Sequence, residues 1–71
     1  MKTWYLLFDH VPLHPLRSVY KKYVGKTTDK EIARAHYQKC CDEYPFGDGG
    51  VQIVTYTEIS WANSATNWDA L

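Results

Sequence analysis

Residues 28–44, TDKEIARAHYQKCCDEY, have helical periodicity with both ends marked, and they constrain everything around them. At the helical period Ala33, His36, Tyr37, Cys40 and Tyr44 gather on one side, with Ile32 at its margin. Lys30, Arg34, Gln38 and Cys41 form a neighbouring, wetter stripe. Thr28 and Glu31 spell the T-x-x-E capping box, in which each side chain satisfies a backbone N–H that the helix start leaves open. Pro45 and the glycines at 47, 49 and 50 stop the helix, and Asp48 among them marks a tight turn that needs positive φ. A single helix covers one face of a sheet and no more.

The flanking segments read as strands. KTWYLLF (2–8) is apolar on both sides, with Trp4, Leu6 and Phe8 alternating against Tyr5 and Leu7, which predicts a central strand. DHVPLHPL (9–16) is expected to be a loop because of Pro12 and Pro15. RSVYKKYVG (17–25) predicts a second strand whose lysines suit an exposed edge and which Gly25 ends. VQIVTYTEISW (51–61) is β-branched throughout and reads as one third strand, and 62–71 as a polar tail carrying Trp68 and Leu71. The expected fold is α+β: β-β-α-β, a three-stranded antiparallel sheet in spatial order 2-1-3, with one helix packed on one face and a right-handed return.

This plan leaves a second sheet face, expected to present Tyr5 and Leu7 beside Val54 and Tyr56. Three covers are open: the tail through Trp68 and Leu71, a second copy in a homodimer, or a different partner. An exposed apolar patch on a small protein marks an interaction surface.

Seventy-one residues predict one domain spanning 1–71. A chain of this size buries only about 60% of its unfolded surface, so a core competes with any deep cleft for the same side chains. Three Trp, six Tyr and two Phe serve burial and binding alike. The formal charge is zero but divided. Residues 1–39 hold eight Lys/Arg against three Asp/Glu, a net +5, and residues 40–71 hold five acids and no base, a net −5. Either folding pairs the two halves or the molecule has a basic and an acidic region. Adjacent Cys40 and Cys41 have Cα atoms about 3.8 Å apart, below the range in which two cysteines bridge. With no disulfide framework, no signal-peptide core and no run near the roughly 18 apolar residues of a membrane span, a cytoplasmic protein without membrane contact is expected.

His10 and His14 are spaced H-x3-H, and His36 and Cys40 stand one helical turn apart, so four metal ligands are conceivable. Pro12 between the first pair and the lack of a C-x-x-C favour instead a buried Cys40 and a core-edge His36, with no metal and no cofactor. Cys40 with His36 is also the one thiol–base pair in the chain, but GDGG lacks the Lys and Ser/Thr of a phosphate-binding loop and no G-x-S-x-G occurs. A non-enzymatic protein is expected. Between Arg17 and Lys39 seven bases interleave with Tyr20, Tyr23 and Tyr37, a composition that suits phosphates and unpaired bases. Acids in the same segment and the overall neutrality make a direct nucleic-acid binder the secondary expectation.

The β-β-α-β plan with the run DKEIARAHYQKC…VQIVTYTE resembles small phage-encoded accessory proteins, among them the anti-CRISPR inhibitors of type I surveillance complexes. The resemblance implies a stoichiometric inhibitor that blocks a host defence protein or ribonucleoprotein in the host cytoplasm. Acidic DNA mimicry does not suit a neutral chain. Docking is expected through the basic stripe Lys21, Lys22, Lys26, Lys30 and Arg34 with Tyr20 and Tyr23, and through the sheet aromatics Tyr5 and Tyr56.

Overall fold

The computed structural model describes residues 2–13, 18–43 and 49–71. His14, Pro15, Leu16 and Arg17 of the expected loop and second strand, Tyr44 of the helix face, and Pro45, Gly47 and Asp48 of the turn lie outside the described residues. The elements run β1 (Trp4–Leu13), β2 (Ser18–Thr27), α1 (Lys30–Glu43), β3 (Val51–Val54), β4 (Ile59–Trp61) and a short 3-10 turn, Trp68–Ala70. They form an α+β fold with one antiparallel sheet in the order β2-β1-β3-β4.

The sheet has four strands rather than three. The expected third strand is a hairpin: the Thr55 amide donates to the Glu58 carbonyl at 2.9 Å, and the Glu58 amide donates to the Thr55 hydroxyl oxygen at 3.2 Å. Nothing in TYTE has the glycine, proline or asparagine that usually marks such a turn; the Thr55 side chain bonds the local backbone in their place. Tyr56 therefore sits at a turn, 80% exposed, and on neither sheet face.

β1 also runs through the expected loop, as far as Leu13. The Phe8 amide donates to the Gly50 carbonyl on the β3 side. Amide direction alternates along a strand, so the position of Pro12 points away from β2 as well, and its missing N–H removes no β1–β2 bond. β2 likewise continues past Gly25 to Thr27. Pairing steps from Leu7↔Gly25 to Phe8↔Tyr23, which leaves Val24 as the extra residue of a bulge.

The helix starts one residue later than the capping box predicts. Asp29 Oδ1 accepts from the Glu31 amide at 2.9 Å and the Ile32 amide at 3.4 Å, and the Asp29 amide donates to Thr27 Oγ1 at 2.9 Å. Asp29 is the better cap because its charge also suits the positive end of the helix dipole. As expected, Ala33 and Cys40 are buried and His36 and Tyr37 half-buried on one side, with Arg34 and Gln38 in solvent.

Register decides which face the helix closes. Tyr5 stands opposite Ile53 and Leu7 opposite Val51, so these four share a face, and β2 adds only Gly25 and Thr27 to it. The core is Tyr5, Ala33, Val51, Ile53, Ala62 and Trp68, with Leu7 and Tyr37 packed against it. Trp68 lies 6.1 Å from the Tyr5 ring and 5.6 Å from the Tyr37 ring. Two expectations are corrected here. Tyr5 and Leu7 face the helix, not the second side, and Val54 lies with Trp4 rather than with Tyr5. The tail packs Trp68 onto the face the helix already covers.

Two stability predictions follow from these contacts. Asp29→Ala should lower unfolding free energy by about 1 kcal/mol in urea titration while Thr28→Ala leaves it nearly unchanged, the reverse of what the capping box implies. Trp68→Ala should cost about 3–5 kcal/mol, enough in a chain of this size to abolish the cooperative thermal transition seen by circular dichroism.

Candidate functional site

β3 begins only at Val51, so past Gly50 no strand among the described residues pairs with β1 on that side. The first carbonyl affected is that of Phe8, and the helix supplies its partners. His36 Nε2 lies 2.7 Å from Phe8 O and Cys40 Sγ 3.6 Å from the same oxygen, with 3.5 Å between Sγ and Nε2. A carbonyl only accepts, so Nε2 carries the proton and offers no lone pair to a metal. Asp9 Oδ1 stands 4.0 Å from the same nitrogen. Burial pushes the Cys40 thiol up, and the negative charges of Asp9 and Glu43 add to this while Lys39 opposes it. A thiol kept protonated is a poor nucleophile and a poor ligand. Among the described residues no three His, Cys, Asp or Glu side chains are placed to hold a metal ion.

The turn beside this pair is shaped by it. Gly50 has φ +69°, and a Cβ there would stand 2.6 Å from Phe8 O and 2.9 Å from Cys40 Sγ. At Gly49 a Cβ would run into the Tyr37 ring. Both glycines are thus needed for the chain to pass between helix and sheet, and His36 with Cys40 forms a structural staple.

No helix among the described residues lies on the other side of the sheet. Alternation from the paired registers places Trp4, Leu6, Phe8 and the buried His10 of β1, Lys21, Tyr23 and Lys26 of β2, Gln52 and Val54 of β3, and Ile59 and Trp61 of β4 on this face. Rings meet across it. Tyr23 packs edge-on to Phe8 at 5.6 Å between centroids, and Phe8 lies 5.0 Å from Trp61 at a tilt of 55°. Lys21 Nζ sits 3.8 Å from the Trp61 ring centroid and Lys26 Nζ 5.0 Å from that of Trp4, both over the negative π faces. Trp4 is 40% exposed, Tyr23 51% and Ile59 64%. Among the described strand residues on this face none is Asp or Glu; Asp9 points to the helix side near His36, and Glu58 belongs to the β3–β4 turn.

The residues expected to bind a partner are split by this geometry. Lys21, Lys26 and Tyr23 come together on the helix-free face. Lys22 and Tyr20, opposite Asp9 and Val11, lie on the other face of the β1–β2 ribbon. Lys30 and Arg34 belong to the helix, Tyr56 to a turn, and Tyr5 is 2% exposed in the core, where it presents nothing to a partner. The expected stripe is therefore not one surface. Trp4, Phe8 and Trp61 join this face although the sequence pattern alone gives no sign that their side of the strands is the open one. The alternation of Lys21, Tyr23 and, past the bulge, Lys26 is the signal that marks their face.

Among the described residues no helix is long and apolar enough to cross a membrane. Comparison with protein-family models, curated protein sequences and solved structures gave no match.

The state of Cys40 can be read chemically. Cys41 should be alkylated by iodoacetamide well before Cys40 in the native protein, as followed by peptide mass spectrometry. The thiol of Cys40 titrates above the ordinary value of 9.0 when folded, so its contribution to stability is intact below that pH and is lost as pH rises beyond it. Cys40→Ser should flatten the alkaline fall in urea midpoint.

Proposed function

We propose that this chain is a non-enzymatic binding protein whose working surface is the helix-free face of its sheet. The observation that carries this reading is where the cover goes. Helix and Trp68 both pack on the Tyr5 side, which leaves Trp4, Tyr23 and Ile59 substantially exposed in a chain that has little apolar surface to spare. Aromatic side chains with few torsions to freeze are the residues that dominate binding energy at interfaces. The only thiol–imidazole pair among the described residues is engaged with the Phe8 carbonyl, so its geometry supports a structural part.

A protein of this kind acts by occupancy: it covers a site on a larger assembly. The likeness to small phage-encoded inhibitors suggests a host defence protein or ribonucleoprotein as the target, met in the host cytoplasm. The arrangement favours the face bearing Lys21, Lys26 and the sheet aromatics over the helix bearing Lys30 and Arg34, because only the former combines charge with exposed rings.

The test is affinity capture of tagged protein from bacterial lysate, with and without nuclease. Trp4→Ala, Tyr23→Ala and Lys26→Glu are compared with Arg34→Glu on the helix. The expected outcome is a partner recovered by wild type and by Arg34→Glu and reduced at least about tenfold by the face variants, as hot-spot truncation implies. Recovery unaffected by the face variants would show that another surface binds.

A further inference from the structure

We propose that the cavity beside the start of α1 is a binding site for a small phosphate monoester, separate from the helix-free face and independent of the reading given to it above. Four chain ends meet there without interlocking: β1 starts at Trp4, β2 stops at Thr27, α1 starts at Lys30 and the final 3-10 turn stops at Ala70. The space they leave measures about 350 Å³ and is lined, among the described residues, by Lys2, Thr3, Tyr5, Thr28, Lys30 and Leu71. Small-molecule sites run from about 300 to 1,000 Å³, so the volume suits a whole small molecule.

Tyr5 marks the cavity as a place for a ligand. Its ring belongs to the core, packed on Trp68 and 2% exposed, so it offers no surface to a protein. A tyrosine buried to this extent ordinarily satisfies its hydroxyl, because an unpaired phenol loses the bond it made with water. Among the described residues no group bonds the Tyr5 hydroxyl, and the open space its side chain borders is this cavity. Burial pushes the phenol up from 10.0, so it keeps its proton and remains a donor.

Charge and donor count select the ligand. Among the described residues neither Lys2 nor Lys30 has an ion pair, and neither the Thr3 nor the Thr28 hydroxyl has a hydrogen bond. Asp29 and Glu31 flank Lys30, but neither lines the cavity, and the Asp29 carboxylate accepts from the amides of Glu31 and Ile32. Two ammonium groups balance a dianion, and a phosphate monoester carries about 1.5 to 2 negative charges at neutral pH on three strong acceptor oxygens. A carboxylate or a sulfate ester brings only one charge. The positive end of the α1 dipole adds to the attraction, and Leu71 offers apolar contact to the organic part of the ligand.

The experiment titrates the full chain with phenyl phosphate, phenyl sulfate and benzoate at neutral pH and constant ionic strength, followed by backbone amide shifts in NMR spectra. Phenyl phosphate should saturate, move the amides of Thr3, Thr28 and Lys30 most, and bind at least about tenfold more tightly than either monoanion. Lys2→Ala and Lys30→Ala should each weaken it by at least about tenfold, and Tyr5→Phe by about twofold to tenfold, as loss of a charged and of a neutral donor imply. Tyr23→Ala on the helix-free face should leave it unchanged. Since the Tyr5 hydroxyl bonds no described group, Tyr5→Phe should not lower the urea midpoint, which separates a lost ligand contact from a lost fold.

Absence of saturable binding overturns the proposal. Equal affinity for phosphate and sulfate does so too, because it would show general attraction to two lysines. Lysine or Tyr5→Phe variants that bind like wild type would also overturn it. A short phosphoserine peptide that binds more tightly than phenyl phosphate, and loses this in the lysine variants, would overturn the small-molecule assignment and give the cavity to a phosphorylated protein segment.

Discussion

Trp68 rests on Tyr5 of β1 and Tyr37 of α1, and this three-ring contact determines what the rest of the molecule has left to offer. A sheet covered by one helix of fourteen residues has a core of few side chains, and a large indole is the economical way to complete it. Once that indole joins the helix side, Ala33, Val51 and Ala62 are sealed at zero exposure and Ile53 nearly so. The opposite side then has no chain segment among those described to cover it. The open face is the consequence of closing the other one.

A second constraint runs through the short third strand. Because β3 starts at Val51, the Phe8 carbonyl needs partners from outside the sheet, and the helix must present a donor at that height. His36 does this from the turn before Cys40, and Gly50 makes room for both. What reads as a ligand pair by spacing is accounted for by backbone chemistry: an unmade hydrogen bond in a partly buried place costs more than a typical bond contributes. The same contact holds α1 to the centre of β1.

Electrostatics follow the strand order. The basic first half of the chain supplies β2 at one edge of the sheet, and acidic residues of the second half stand at the end of α1, at the β3–β4 turn and near the C-terminus. Lys21 and Lys26 reach inward from that edge over indoles of β4 and β1, so their stems cover apolar surface.

Much of the fold was legible because it depends on local signals. The helix and its buried side follow from periodicity at Ala33, His36, Tyr37 and Cys40, the central position of β1 from apolar residues on both its faces, and the need for glycine near residue 50 from the helix stop. The hairpin at Thr55–Glu58 leaves no sequence signal because a threonine side chain makes the turn, and Pro12 looks like a breaker because the direction of its amide depends on where β3 ends. The surface was the least legible part. Whether Tyr5 or Trp4 is buried depends on register, and a shift of one residue exchanges the two faces of a strand that is apolar on both. Composition and periodicity by themselves determined one helix, an antiparallel sheet and an uneven charge. Only the tertiary structure, through the pairing of Tyr5 with Ile53 and the docking of Trp68, decided which aromatic residues became core and which were left facing out.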